Sequence, residues 1–525
     1  MTVADATPDF KALDDRDDRA FLGHPKGLGY LSFIEACERF SYYSMQSLLT
    51  LYMFKYLLVP GRIEGVIGLE WLRSWHYEGL SGQPLGSAIF GDYTSLVYLT
   101  PILGGIIADR FAGRRVALFA GGVTMSIGHF LMAFEGAFLF ALLALIVGVG
   151  LFKGNIASQV GALYKGNDLR RAMAFQIFYI AINVSVIAAP LISGTLGERV
   201  GWHYGFGTAG IVMVLGVLLF LAGRPHLPVE EGESEKIGAA KTIGTIAAAA
   251  LVSVVVIGIV FLAGIFIALA ALVPLYFWLT RGLTGEERLR VLALTLLIPA
   301  MAIALLTNQQ IFNAYLIWAD QQFNLAIPDW LAALRYTFTI PLLGTREIAF
   351  PNPLPTTWMV TIDATLSFSM LVAVALFFKW YGTRWREPDE LGKMIIGSFF
   401  TMAGGLCLYL AALTQGDGKI GLFWPLMFHL FNSIGFSCIL PVSLALFSKI
   451  APRQINATVI GLYYLAFFGA NKIVGEIGQL YSTWDTPSFW LLHVATAAVG
   501  LAAFVLFKLL MSRRMAEHHE AASAA

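Results

Sequence analysis

Leu31-Ser-Phe-Ile-Glu35-Ala-Cys37-Glu38-Arg39-Phe40-Ser41-Tyr42-Tyr43-Ser-Met-Gln46-Ser-Leu-Leu-Thr-Leu-Tyr52 is a helix-length, otherwise apolar run with two carboxylates and a guanidinium in its middle. At helical spacing Glu35, Glu38, Arg39 and Tyr42 fall at i, i+3, i+4 and i+7, so one face carries all four. That face must look into protein or water rather than lipid, and charge inside a membrane marks function.

The chain around this run is built of similar segments. Of 525 residues, 57% are hydrophobic and only 13% charged, against roughly 25% charged in soluble domains. Mean hydropathy is +0.70. Composition therefore specifies a polytopic, all-α integral membrane protein. A net charge of +1 offers nothing to nucleic acid. Cys37, Cys407 and Cys438 lie in apolar segments without metal-ligand spacing, which argues against a disulfide framework or a zinc site. An enzyme is disfavoured, because no nucleophile and base pair, metal cluster or phosphate loop appears; no cofactor is expected.

Windows of about 20 apolar residues place helices near 30–56, 89–108, 115–135, 138–164, 171–195, 203–223, 243–260, 263–280, 290–323, 357–381, 393–414, 419–449, 455–480 and 486–511. Basic clusters such as Arg110/Arg114/Arg115, Arg281/Arg288/Arg290 and Lys508/Arg513/Arg514 fall in alternate loops. The other loops hold only Arg62, Arg73, Arg199, Arg335, Arg346 and Lys419. The positive-inside rule then puts both termini in the cytoplasm. The charged run Asp14, Asp15, Arg16, Asp17, Asp18 and Arg19 reads as part of a cytoplasmic tail, partly disordered.

An acidic linker, 223–241, and a tight pair, 243–280, with little polar content interrupt the array. Six helices precede the pair and six follow. The expected organisation is a tail (1–29), a six-helix bundle (30–223), a linker with the inserted pair (224–285), a second bundle (286–512) and a tail (513–525). Two bundles related by an axis along the membrane normal are the layout of major facilitators, with substrate bound between them. Two long distal segments, 57–88 and 324–356, are expected to order as short caps over the cavity.

The run Glu35-Ala-Cys-Glu38-Arg39-Phe40-Ser-Tyr42-Tyr43 resembles the Glu-x-x-Glu-Arg-Phe-x-Tyr-Tyr motif of the proton-dependent oligopeptide transporters. Gly105-Ile-Ile-Ala-Asp109-Arg110-Phe-Ala-Gly113-Arg114-Arg115 resembles the cytoplasmic loop motif of major facilitators. Gly150-Leu-Phe-Lys153-Gly154-Asn155-Ile, Phe178-Tyr179-Ile-Ala-Ile-Asn183, and Asn471 with Gly475 resemble the family's fourth-, fifth- and eleventh-helix segments. The resemblance spans roughly residues 25 to 510. It implies a monomeric, proton-driven symporter of short peptides or peptide-like acids in a bacterial-type inner membrane, working by alternating access without a cofactor.

Lys153 stands in an apolar helix beside Gly148, Gly150 and Gly154, which admit a close neighbour. A buried ammonium needs a carboxylate, and Glu35 or Glu38 is the candidate; a pair broken by a proton would couple protonation to substrate binding. Proton coupling is thus assigned to Glu35, Glu38, Arg39 and Lys153, and a cytoplasmic gate to Asp109, Arg110, Arg114 and Arg115. Candidate substrate contacts are Tyr42, Tyr43, Gln46, Lys153, Asn155, Tyr179, Asn183, Gln309, Gln310, Asn313, Phe436 and Tyr463.

Against the family pattern, Gln309 stands where the seventh helix usually carries a titrating Glu, Phe436 where the tenth carries the Glu that receives a peptide amine, and Gln46 where a second basic residue is usual. A site with cations and no opposing acid is expected to favour anionic ligands with a blocked amine. Asp320, on a face shared with Gln309 and Asn313, and Asp363 are possible additional acids. His429 reads as a satisfied buried histidine. A transporter of a non-peptide anion, and a non-transporting receptor or scaffold, are the alternatives.

Overall fold

The sequence folds into long helices, and numbering these alone gives α1 Lys26–Tyr52, α2 Gly82–Ile107, α3 Arg114–Leu131, α4 Phe138–Ala162, α5 Arg170–Ala189 and α6 Trp202–Gly223. They form the first bundle. After α7, Ala239–Leu279, the second bundle contains α8 Gly285–Gln309, α9 Trp358–Gly382, α10 Glu390–Leu413, α11 Phe423–Ile450, α12 Leu465–Gln479 and α13 Thr486–Ala524. A short helix, Asn456–Tyr463, leads into α12. This is a computed structural model describing residues 10–11, 18–164, 168, 170–230, 237–340, 344–452 and 455–524. Asp14 to Asp17, Lys165 and the linker acids Glu231, Glu233 and Glu235 lie outside the described residues.

Eleven of the described helices are long and apolar enough to cross a membrane. The protein is a multi-pass membrane protein with the major facilitator architecture. Helix α1 is not among the eleven, because the charges and hydroxyls that mark it also lower its hydropathy. Start positions follow local chemistry: Thr284 and Glu287 form a reciprocal capping box at α8, and Asp389 accepts the Gly392 amide at 2.9 Å to open α10.

Three expectations need correction. The inserted pair is one continuous helical element, α7, of 41 residues. No Pro, Asn or Asp interrupts 243–273 to turn the chain, so helix propagates through. The expected helix 290–323 breaks after Gln309 into a 3₁₀ turn, Gln310–Phe312, and a second helix, Ala314–Gln322, around a non-helical Asn313 at φ −120°, ψ −112°. Gln309, Asn313 and Asp320 therefore do not share a helical face. Thirdly, the distal segment 324–356 contains a β-hairpin. Numbering all strands, β1 Phe10–Lys11 pairs antiparallel with β2 Val229–Glu230, and β3 Arg335–Ile340 with β4 Gly344–Ala349.

Glycines set the spacing that matters for the site. A Cβ on Gly104 of α2 would overlap the Gly150 carbonyl of α4, so these helices touch backbone to backbone. Between bundles, Gly91 of α2 meets Gly475 of α12 in the same way. The start of α1 meets the end of α4 (His24 with Tyr164) and the start of α10 meets α13 (Asp389 with Lys508) at one end of the helices, while Lys55 and Asp320 meet at the other, the distal face.

Candidate functional site

Arg39 lies one turn after Glu35 and next to Glu38, and all three side chains are buried. The guanidinium grips Glu38 in a two-pronged bond, Nη2 to Oε1 at 2.5 Å and Nε to Oε2. Its Nε is also 3.3 Å from Glu35 Oε1. The other Glu35 oxygen, Oε2, is buried with no hydrogen-bond partner among the described residues. One guanidinium thus serves two carboxylates. With both ionised, a surplus negative charge sits away from water, which a proton or a nearby cation must offset.

Lys153 is a nearby cation, brought in by the Gly104 and Gly150 contact. The expected pair with Glu35 or Glu38 is not formed in this conformation: Arg39 holds Glu38 and one oxygen of Glu35, and Lys153 turns to aromatic rings. The Lys153 Nζ instead lies 4.2 Å from the Tyr98 ring centre, 5.7 Å from Tyr42 and 5.9 Å from Tyr464. Ring faces hold an ammonium without neutralising it, at about 0.5–2 kcal/mol. Its charge stays available to an anion.

Arg39, Lys153, Tyr98 and Tyr464 line a cavity of about 410 Å³ between the bundles. From the first bundle come Arg39, Tyr43, Gln46, Tyr98, Lys153, Tyr179 and Asn183. From the second come Asn308, Gln309, Phe312, Asp363, Ser367, Phe436, Tyr463, Tyr464 and Phe467. Asp363 is the one acid among the described lining residues. None of the described lining residues belongs to α7.

Several candidates lie elsewhere. Asn155 is buried and returns its amide to the Leu151 carbonyl at 2.7 Å. Gln310 is buried off the cavity, and Tyr42 sits behind its wall, with Arg39 Cζ 5.0 Å from its ring centre. Asn313 belongs to the seam between bundles, accepting from Ser87 at 2.9 Å and donating to the Val474 carbonyl at 3.3 Å. Asp320 pairs with Lys55 at 2.8 Å on the distal face. Of the gate candidates, Asp109 meets Arg114 at 3.1 Å within the turn that Gly113 makes at φ +81°, and Arg115 donates to the Arg224 carbonyl at 2.9 Å. Both bonds stay within the first bundle.

Hydrogen bonds and ion pairs that cross between bundles, among the described residues, cluster in the distal half. Thr50 donates to the Phe312 carbonyl at 2.8 Å. Asp92 of α2 accepts from Lys472 of α12 at 2.5 Å, and also from Tyr77 and His76 at 2.9 and 2.8 Å. Glu198 reaches the start of α9, accepting from the Thr356 and Thr357 amides at 2.9 and 2.8 Å, where the helix dipole favours an anion. The cavity is therefore closed on the distal side. Sequence reading missed Asp92, Lys472 and Glu198, although the first two are charges inside apolar helices, the same signal that singled out Glu35.

Replacing Asp92 with Asn is expected to loosen this closure. Lys472 would keep Glu476 at 3.1 Å, so the closed state should lose about 1–3 kcal/mol rather than a full buried pair. Spin labels at exposed Ser74 and Asp417, on the distal ends of the two bundles, should gain a longer-distance population in D92N; an unchanged distribution would remove the latch role.

A family model described as PTR2, POT family, matches residues 115–314. The chain is 29% identical over 493 residues to the peptide transporter YePEPT of Yersinia enterocolitica, covering 88% of each chain. It is 27% identical over 522 residues to a di-/tripeptide transporter of Lactococcus lactis subsp. cremoris, covering 94% of this chain and 97% of that one. A crystal structure of a peptide transporter POT in complex with sulfate superposes with a TM-score of 0.73 at 26% identity, over 94% of this chain and 96% of the other. Family match, full-length relatives and superposition converge with the first-helix motif: along nearly its whole length the chain is similar to the POT family of transporters.

Proposed function

We propose that this protein is a proton-coupled symporter of short peptides or peptide-like acids, working by alternating access in the cell membrane, as a monomer, with both termini in the cytoplasm. The observation that carries the proposal is the buried cluster of Glu35, Glu38 and Arg39, with one carboxylate oxygen unpartnered, next to a cavity holding the caged Lys153 ammonium.

In this mechanism a proton on Glu35 removes the surplus negative charge of the cluster. Lys153 is then free to hold a substrate carboxylate in the cavity. Release of substrate and proton restores the surplus charge, which draws Lys153 back. Distal closure by Asp92, Lys472 and Glu198 makes the present arrangement one that opens toward the cytoplasm. Gate roles for Asp109, Arg110, Arg114 and Arg115 belong to the opposite, outward-open state, in which their bonds would have to be remade across the bundles.

Counterflow of labelled dialanine in proteoliposomes tests the peptide assignment. Trans-stimulated exchange that unlabelled di- and tripeptides compete away, and simple carboxylates do not, is the expected result. Exchange blocked equally by acetate or inorganic anions would point to a non-peptide anion instead.

A further inference from the structure

The second bundle carries a polar chain that the proton-coupling scheme does not use. His429 of α11 is fully buried, and its Nδ1 lies 3.0 Å from Asp363 Oδ1 on α9. Its Nε2 lies 2.7 Å from the Tyr315 hydroxyl. With the hydrogen on Nδ1, a neutral imidazole donates to Asp363 and accepts from Tyr315, so every polar atom of the ring is used. One helical turn on, Ser367 meets Ser433 at 3.1 Å, which repeats the rung and fixes the register of α9 on α11. Asp363 is therefore held in position from behind.

What it faces is the cavity. The second carboxylate oxygen, Oδ2, has no hydrogen bond among the described residues, and the side chain is 11% exposed where it lines the cavity. Two cations line the same cavity: Arg39, already offset by Glu35 and Glu38, and Lys153, held by rings alone. The unoffset charges are then one ammonium from the first bundle and one carboxylate from the second. Opposite charges on opposite walls match a zwitterion.

We propose that Asp363 is the acid that binds the substrate's free amino group, with His429 and Tyr315 as its positioning residues. The amine-receiving role vacated at Phe436 has moved to α9. This rests on the peptide symport proposed above and deepens it, and it reverses the expected preference for amine-blocked ligands. An ammonium entering a desolvated site without a counter-charge would be penalised heavily, whereas Asp363 supplies one within the same cavity.

The test uses calorimetric binding to the purified full chain with three probes: dialanine, N-acetyl-dialanine and dialanine amide. The unmodified protein should bind dialanine about tenfold more tightly than N-acetyl-dialanine, and Asp363→Asn should bring that ratio to about one while leaving N-acetyl-dialanine binding within about twofold. Binding of the acetylated probe certifies that the variant is folded. His429→Gln and Tyr315→Phe should each lower the ratio by about threefold without changing N-acetyl-dialanine affinity, a selectivity effect that loss of packing would not produce. An unchanged ratio in Asp363→Asn, or a preference for N-acetyl-dialanine in the unmodified protein, would overturn the assignment. Dialanine amide, which keeps the free amine and lacks the carboxylate, should lose affinity in Asp363→Asn as dialanine does, and unchanged binding of it would count against the assignment; failure of all three probes to bind the unmodified protein would overturn the peptide reading itself.

Discussion

Glu35→Gln is expected to abolish accumulation driven by a proton gradient while sparing exchange. The amide keeps the shape of the side chain and can satisfy Arg39 through its oxygen, but it cannot cycle a proton. The surplus negative charge is removed permanently, so the cluster is fixed in its protonated form and the substrate can still shuttle. Gradient-driven uptake in proteoliposomes should fall by about tenfold or more, with counterflow retained. Glu38→Gln should do the same and also weaken the two-pronged grip on Arg39, with a visible loss of thermal stability. Full gradient-driven uptake in both variants would place coupling elsewhere.

Lys153→Ala is the second large effect, and here the structure changes what is expected. A static pair with Glu35 or Glu38 would make the substitution cost about 3–5 kcal/mol of stability, because a buried carboxylate would lose its counter-charge. In this conformation Arg39 holds both carboxylates and Lys153 rests on Tyr98, so the folding cost should be nearer 1 kcal/mol. Transport should nonetheless fall by about a hundredfold, as the one ammonium among the described residues lining the cavity is gone. Melting within a few degrees of the unmodified protein together with lost uptake is the expected combination. Normal uptake would remove Lys153 from the mechanism.

How far the sequence could be read depended on the kind of signal. Helix positions in both bundles were legible because membrane-length apolar runs are long and repeat, and Lys153 and Glu35 stood out because a charge in such a run has no neutral explanation. The cavity brings together Arg39, Lys153, Gln46, Gln309, Asp363 and Phe436, residues from five helices far apart in the chain. Asn313 and Asp320 were misplaced because a helical face was extrapolated through a backbone break that no Pro or Gly announces. Helix α7 was split on length alone. The hairpin Arg335–Ala349 went unread, although Arg335-Tyr-Thr-Phe-Thr-Ile340 is rich in β-branched and aromatic residues. Partner choice was the least legible: Lys153 with rings rather than carboxylates, and Asp363 with His429, depend on which side chains reach first in three dimensions.

Proton coupling is tested most directly by enclosing a pH-sensitive dye in proteoliposomes of the unmodified protein, with no gradient imposed, and adding dialanine outside. Symport requires the lumen to acidify as the peptide enters, at a rate that tracks peptide influx and disappears in Glu35→Gln while that variant still exchanges peptide. Peptide entry with no change in internal pH would contradict it.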